Sequence, residues 1–329
     1  MGETILVTGA AGYIGSVITE ELLREGKEVL ALDNLSHGHR GALSPQARFV
    51  EIDLRQTEAL EALFQRERID AVMHLAAESI VSESVADPGK HFEANVLCGL
   101  NLLGVMLRHG VKRMVFSSTA AVYGEAKRVP IVEEHSPEPV NPYGESKLMF
   151  ERILGWYHRA YGLRSVSLRY FNAAGASERF GEDHHPETHL IPLAFQVALA
   201  QQPWLPLYGT DYPTADGTCV RDYIHVADIA RAHLLALRRL EGEGCAIYNL
   251  GNGAGYSVRE VVAAVEEVTG KKVSLKNSPR RAGDPPALVA SSERARQELG
   301  WQPRSPGLAQ IVGSAWEWQR RHPRGYETA

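Results

Sequence analysis

A chain of 329 residues with 44% hydrophobic and 23% charged side chains is globular in profile and long enough for one large or two ordinary domains. Its formal charge of −5 leaves no basic footprint for nucleic acid or an anionic membrane. Cys98, Cys219 and Cys245, without a CxxC pair, argue for free thiols in a reducing compartment rather than a disulfide framework. The opening "MGETILVTGA" runs straight into strand-like residues, and no stretch reaches the ~20 apolar residues of a membrane span. A soluble cytoplasmic protein is expected.

In chain order, "TILVTG" (residues 4–9) reads as a buried strand, and residues 13–26 carry a helical period that stops at Gly26. Strands follow at 28–33 and 48–53, a helix at 58–67, and further strands at 71–77, 113–118 and 164–172. Apolar strands that are continuous rather than alternating, each followed by a helix, predict a parallel sheet covered on both faces. After Asn172 the rhythm breaks into a polar, turn-rich stretch; a helix at 225–240, a strand at 246–251 and a helix at 257–270 come later. The expected fold is α/β: a Rossmann-like doubly wound parallel sheet with a smaller α/β substrate-binding lobe. The predicted division is a cofactor domain over 1–172, rejoined by segments from about 222–250, and a lobe over 173–329.

"VTGAAGYIG" places Gly9, Gly12 and Gly15 between the first strand and the first helix. Glycine lets backbone approach a pyrophosphate, and the helix N-terminus supplies a positive dipole. The spacing is GxxGxxG rather than the common G-x-G-x-x-G, and a structural turn is its rival reading. Asp33 ends the second strand, where a carboxylate binds a ribose 2′-hydroxyl and repels a 2′-phosphate, which favours NAD over NADP. Asp53, ending the third strand, is placed either to accept from the adenine amine or simply to cap the strand end.

"NPYGESK" puts Tyr143 and Lys147 four residues apart, just after an Asn-Pro helix start. That pair is either an ordinary amphipathic face or an acid–base device, in which a cation one turn along lowers the pKa of a phenol. Three features then converge: the glycine loop, "FSSTAAVYG" after a central strand, and Tyr143-x-x-x-Lys147. Together they resemble the extended short-chain dehydrogenase/reductase family. "LDNLSHGHR", "DYPTADGTCVRDYIHVADIARAH", "YNLGNG" and "RRAGDPPALVA" extend the likeness to its UDP-glucose 4-epimerase branch along nearly the whole chain.

The resemblance implies an NAD-dependent epimerase interconverting UDP-glucose and UDP-galactose through a 4-keto sugar. Tyr143 is then the base, Lys147 the residue that holds the nicotinamide ribose and tunes it, and Thr119 the hydroxyl that hydrogen-bonds O4. Related dehydratases carry an Asp-Glu pair after this Ser/Thr; Ala120 and Ala121 stand there instead, so oxidation at C4 can only be reversed. Implied NAD contacts are Gly9, Gly12, Tyr13, Ile14 and Gly15; Asp33, Asn34, Leu35, Ser36 and Gly38; Asp53 and Leu54; Leu75, Ala76, Ala77 and Ser79; and Asn95, Tyr143, Lys147 and Phe171. Ala94 replaces a second asparagine found in some members. For the UDP-sugar the implied contacts are Thr119, Tyr143, Asn172, His189, Leu190, Leu207, Tyr208, Arg221, Arg281, Asp284 and Leu288. The bulk of Leu288 is intermediate, which implies weaker action on UDP-N-acetylhexosamines. Rival readings are an epimerase of another UDP-sugar such as UDP-glucuronate, or a catalytically idle NAD-binding relative.

Two expectations remain. His184, His185 and His189 are not expected to bind a metal, since adjacent histidines rarely converge on one ion and no cysteine or HExxH accompanies them. A homodimer is expected from wide apolar stripes that include Leu97, Leu100, Leu103, Leu148, Ile153 and Trp156, although covering the sheet would account for some of them.

Overall fold

The computed structural model describes residues 2–281 and 284–326. Its strands are β1 (Thr4–Thr8), β2 (Glu28–Asp33), β3 (Arg48–Glu51), β4 (Ala71–His74), β5 (Arg113–Thr119), β6 (Arg164–Tyr170), β7 (Asn172–Ala174), β8 (Leu205–Tyr208), β9 (Val220–His225), β10 (Cys245–Leu250), β11 (Gly255–Ser257), β12 (Leu275–Ser278) and β13 (Ala287–Leu288). Seven form one parallel sheet in the order β10-β6-β5-β4-β1-β2-β3. Their apolar runs are continuous because both faces are buried: Ile5 and Val7 of β1 enter one core cluster, while Leu6 enters the other. The chain winds outward from β1 to β3 and then crosses back to β4. That reversal opens a crevice beyond the carboxyl ends of β1 and β4, the place where doubly wound sheets bind ligands.

Segments of the second half return to this sheet. Strand β10 pairs with β6, and the Val226–Arg239 helix packs on the Tyr13–Arg24 helix. The return extends beyond the predicted segments, since Trp301, Trp318 and Tyr326 belong to the same core cluster as β1. The lobe itself has a small sheet around β9, which pairs with β7, β11 and β13, and a separate parallel β8–β12 pair. Ile191, Phe195, Val261, Val265 and Ile311 pack as its core. No helix among the described residues is long and apolar enough to cross a membrane.

The Pro142–Tyr161 helix carries the Tyr-Lys pair. The Asn141 side chain accepts from the Gly144 N–H at 2.8 Å, Pro142 opens the first turn, and Gly162 closes the helix in the left-handed region at φ 69°. Its first turn lies hard against the segment after β5, because a Cβ on Gly144 would sit 2.5 Å from the Ala121 carbonyl oxygen.

Candidate active site

The glycine loop is built for close backbone approach. Gly9 has φ +71°, and a Cβ there would meet the Ala76 nitrogen at 2.7 Å; one on Gly15 would meet the Gly9 carbonyl at 2.0 Å. Gly12 caps the Tyr13–Arg24 helix with no side-chain acceptor, and its first turn holds no acidic residue. Such an end suits an anion. Asp33 accepts from the Ala11 N–H at 2.9 Å and the Leu35 N–H at 2.8 Å; burial nevertheless raises its pKa. Gly38 is tight against that carboxylate, with Asp33 Oδ1 3.0 Å from where its Cβ would lie. These features fit a dinucleotide whose pyrophosphate meets the loop and whose ribose meets Asp33.

Other predicted cofactor residues hold one another. Asn34 donates to Asp53 at 2.8 Å and accepts from the Ser36 N–H and hydroxyl. Asp53 is also engaged by the Arg55 side chain, which holds its carboxyl well below the usual range. Tyr13 turns its phenol away from the loop to donate to the Gly175 carbonyl at 2.6 Å, while Ile14 packs against the core. Leu54 and Phe171 are buried, Leu75, Ala76 and Ala77 half-buried, and Ser79 exposed. Asn95 sits in a single π turn, Glu93–Leu97. Its amide is committed to both backbone groups of Glu78 and to the Ser146 hydroxyl, so it braces the loop after β4 against the catalytic helix.

Thr119, Tyr143 and Lys147 meet at the carboxyl end of β5. The Thr119 hydroxyl acts on the Tyr143 phenol and favours its ionised form, and Thr119 Oγ1 accepts from the Ala121 N–H at 3.1 Å. Lys147 is buried; its Nζ donates to the Ser117 carbonyl at 2.9 Å and lies 4.9 Å from the centre of the Phe116 ring. Burial lowers its pKa to about 7, against the raising effect of Glu151. Burial also raises the Tyr143 pKa, with only partial relief from Thr119. The expected lowering by Lys147 is therefore not supplied here: burial sets the phenol's shift, and Thr119, not Lys147, is the group that opposes it.

Sequence reasoning missed what stands behind Lys147. Glu151, one turn further on, accepts from Arg169 Nε at 2.9 Å, pairs with its terminal nitrogen at 2.5 Å, and takes a bond from the Ser118 hydroxyl. Arg169 continues to the Tyr123 hydroxyl at 2.8 Å, and Tyr123 to Asn249 at 2.7 Å. The i,i+4 spacing from Lys147 was a visible signal; the partners on β5, β6 and β10 were not.

The lobe and the segment leading into it carry the remaining residues. Arg221 pairs with Asp284, and the Arg281 guanidinium lies 4.1 Å from the centre of the Tyr208 ring. Leu288 pairs in register with Arg221 and packs on the cluster holding Ala120, Tyr123 and Phe171. Asn172 is exposed at the start of β7, and His189 and Leu190 begin the Leu190–Ala198 helix. Leu207 is fully buried, so its side chain faces core and only its backbone is available to a ligand.

The three histidines do not act together. His185 pairs with Asp183, whereas His184 and His189 come together with Glu182 and Glu187. Burial alone would lower the His189 pKa, but Glu182 and Glu187 raise it above the imidazole range.

Residues 5–251 match the NAD dependent epimerase/dehydratase family. The chain belongs to it. Within this epimerase/dehydratase family the chain is 51% identical over 327 residues to the UDP-glucose 4-epimerase of Halalkalibacterium halodurans, covering 98% of each. A crystal structure of a UDP-glucose 4-epimerase superposes with a TM-score of 0.96 at 48% identity, covering 99% of this chain and 100% of that one. The Bifidobacterium longum UDP-glucose 4-epimerase in complex with NAD+ and UDP gives a TM-score of 0.94 at 40% identity, over 98% and 99% of the two chains. The chain is an NAD-dependent epimerase.

Proposed function

We propose that this epimerase interconverts UDP-glucose and UDP-galactose, with weaker action on the N-acetylated pair. The observation that carries the reading is Tyr143, eased by Thr119, one helical turn from a buried Lys147, with Ala120 and Ala121 where an elimination would need a second acid and base. Tyr143 takes the proton of the sugar 4-hydroxyl and later returns it, and Thr119 holds that oxygen and keeps the phenol aimed at it. Lys147, fixed by the Ser117 carbonyl, holds the ribose next to the reacting carbon. When bound, NAD supplies the hydride acceptor and donor for C4, together with a positive ring charge that favours the phenolate. Arg221 and Arg281 bind the diphosphate as forks, Asp284 the uridine ribose, and Leu288 limits the group at C2.

The working form is a homodimer. Val81, Val85, Leu97, Trp156 and Tyr161 are 45–65% exposed on segments that pack side by side. Of the residues expected there, Leu103 and Leu148 are instead buried in the chain's own core, and Leu100 and Ile153 are half-buried. Three free thiols suit the cytoplasm. The direct test is to incubate the purified protein with UDP-galactose and no added NAD. UDP-glucose should accumulate to an equilibrium mixture; no conversion by protein that carries NAD would sink the reading.

A further inference from the structure

Between β7 and the Leu190–Ala198 helix, "GEDHHPETH" folds so that alternate residues face opposite ways. Asp183 and His185 turn to the other side: Asp183 accepts from the Tyr326 N–H at 2.8 Å, His39 bonds the Asp183 carbonyl at 2.8 Å, and the exposed His185 pairs with Asp183. Glu182, His184, Glu187 and His189 turn to one point, each offering one ligand atom, all within 4.8 Å of one another. His184 Nδ1 is 3.2 Å from Glu182 Oε1; His189 Nδ1 is 2.7 Å from that oxygen and 2.8 Å from Glu187 Oε1. Both carboxylates are recessed, with 9% of each side chain exposed.

We propose that these four side chains form a zinc site, which binds one Zn2+ per chain. Two imidazole nitrogens and two carboxylate oxygens are the donor set of a four-coordinate zinc ion, and two carboxylates balance its charge. With bonds of about 2.0–2.2 Å, neighbouring ligand atoms around tetrahedral zinc stand roughly 3.3–3.6 Å apart. The contacts of 2.7–3.2 Å must open, and any wider separations, up to 4.8 Å, must close for the four atoms to reach that spacing. Calcium and magnesium, which take six or more oxygens or keep their waters, match the set poorly. The ion would tie the loop to the start of the Leu190–Ala198 helix through His189 and to the first-helix region through His184, whose ring lies edge-on to Tyr13 at 6.3 Å.

The test uses the NAD-bearing protein, treated with EDTA and freed of chelator. Calorimetric titration with zinc chloride, run in two buffers of different ionisation heat, and metal analysis after dialysis should give one Zn2+ per chain, with protons released on binding. The melting temperature should rise with zinc. His184→Ala and the near-isosteric Glu187→Gln should each weaken binding by at least the ~10–100-fold that outer-shell partners are worth. His185→Ala and Cys245→Ser should leave it unchanged. Absence of stoichiometric binding, binding that survives both ligand substitutions in variants that melt normally without metal, or binding lost with Cys245→Ser would each overturn the proposal.

Discussion

At the scale of single residues, the role proposed for Tyr143 is that of proton acceptor, and among the described residues the only side chain that eases its phenol against burial is Thr119. Tyr143→Phe should therefore keep bound NAD and the melting temperature while lowering kcat by about 10²–10⁴-fold, the usual worth of general acid–base catalysis. A variant keeping more than about a tenth of the activity would remove the tyrosine from that role. Gly15→Ala should do the reverse. Its methyl would meet the Gly9 carbonyl at 2.0 Å, so the loop must open, and absorbance of the purified variant should show little bound NAD. Leu288 is proposed to govern a finer choice. Leu288→Tyr should suppress turnover of the N-acetylated sugars selectively and Leu288→Ser should raise it, within the roughly 1–3 kcal/mol that such bulk is worth. A kcat/KM ratio between the two sugar pairs that stays flat across parent and variants would refute the gate.

At the scale of elements, the catalytic helix is held by the buried Glu151–Arg169 pair, whose side chains are each 3% exposed. Glu151→Gln leaves Arg169 buried without its counter-charge, a loss on the order of 3–5 kcal/mol that thermal unfolding would report. It also removes the charge that raises the Lys147 pKa against burial. Lysine is positive below its pKa, so a further fall below about 7 means the ammonium is lost at lower pH, and the alkaline limb of kcat/KM should move down. An unmoved limb would show that Glu151 has no influence on Lys147. The parallel sheet, the glycine loop and the Tyr-Lys turn were legible in the sequence because each is a local pattern of period or spacing. The Arg169 partner, the π turn that aims Asn95 at Glu78, and the meeting of Glu182 with His189 were not, because each depends on how distant segments dock. Periodicity also showed that the helices had a wide apolar stripe without showing that Leu103 and Leu148 face inward while Leu97 and Trp156 face out.

At the scale of the molecule, the exposed face around Leu97 and Trp156 should hold two chains together. Both positions are more than half exposed in one chain, so Leu97→Asp with Trp156→Asp should leave the fold intact and give a single-chain mass by sedimentation at micromolar concentration. A wild-type protein that already sediments as one chain would dispose of the dimer. The return of β10 to the edge of β6, with Trp301, Trp318 and Tyr326 sealing the core beneath, bears on how the chain is made. A ribosome delivers the first half with the β6 edge open and an apolar face uncovered. Nearly the whole chain must emerge before that half can close. Closure of the nucleotide domain thus waits on segments made long after it, and until they arrive the nascent N-terminal half keeps an apolar face uncovered.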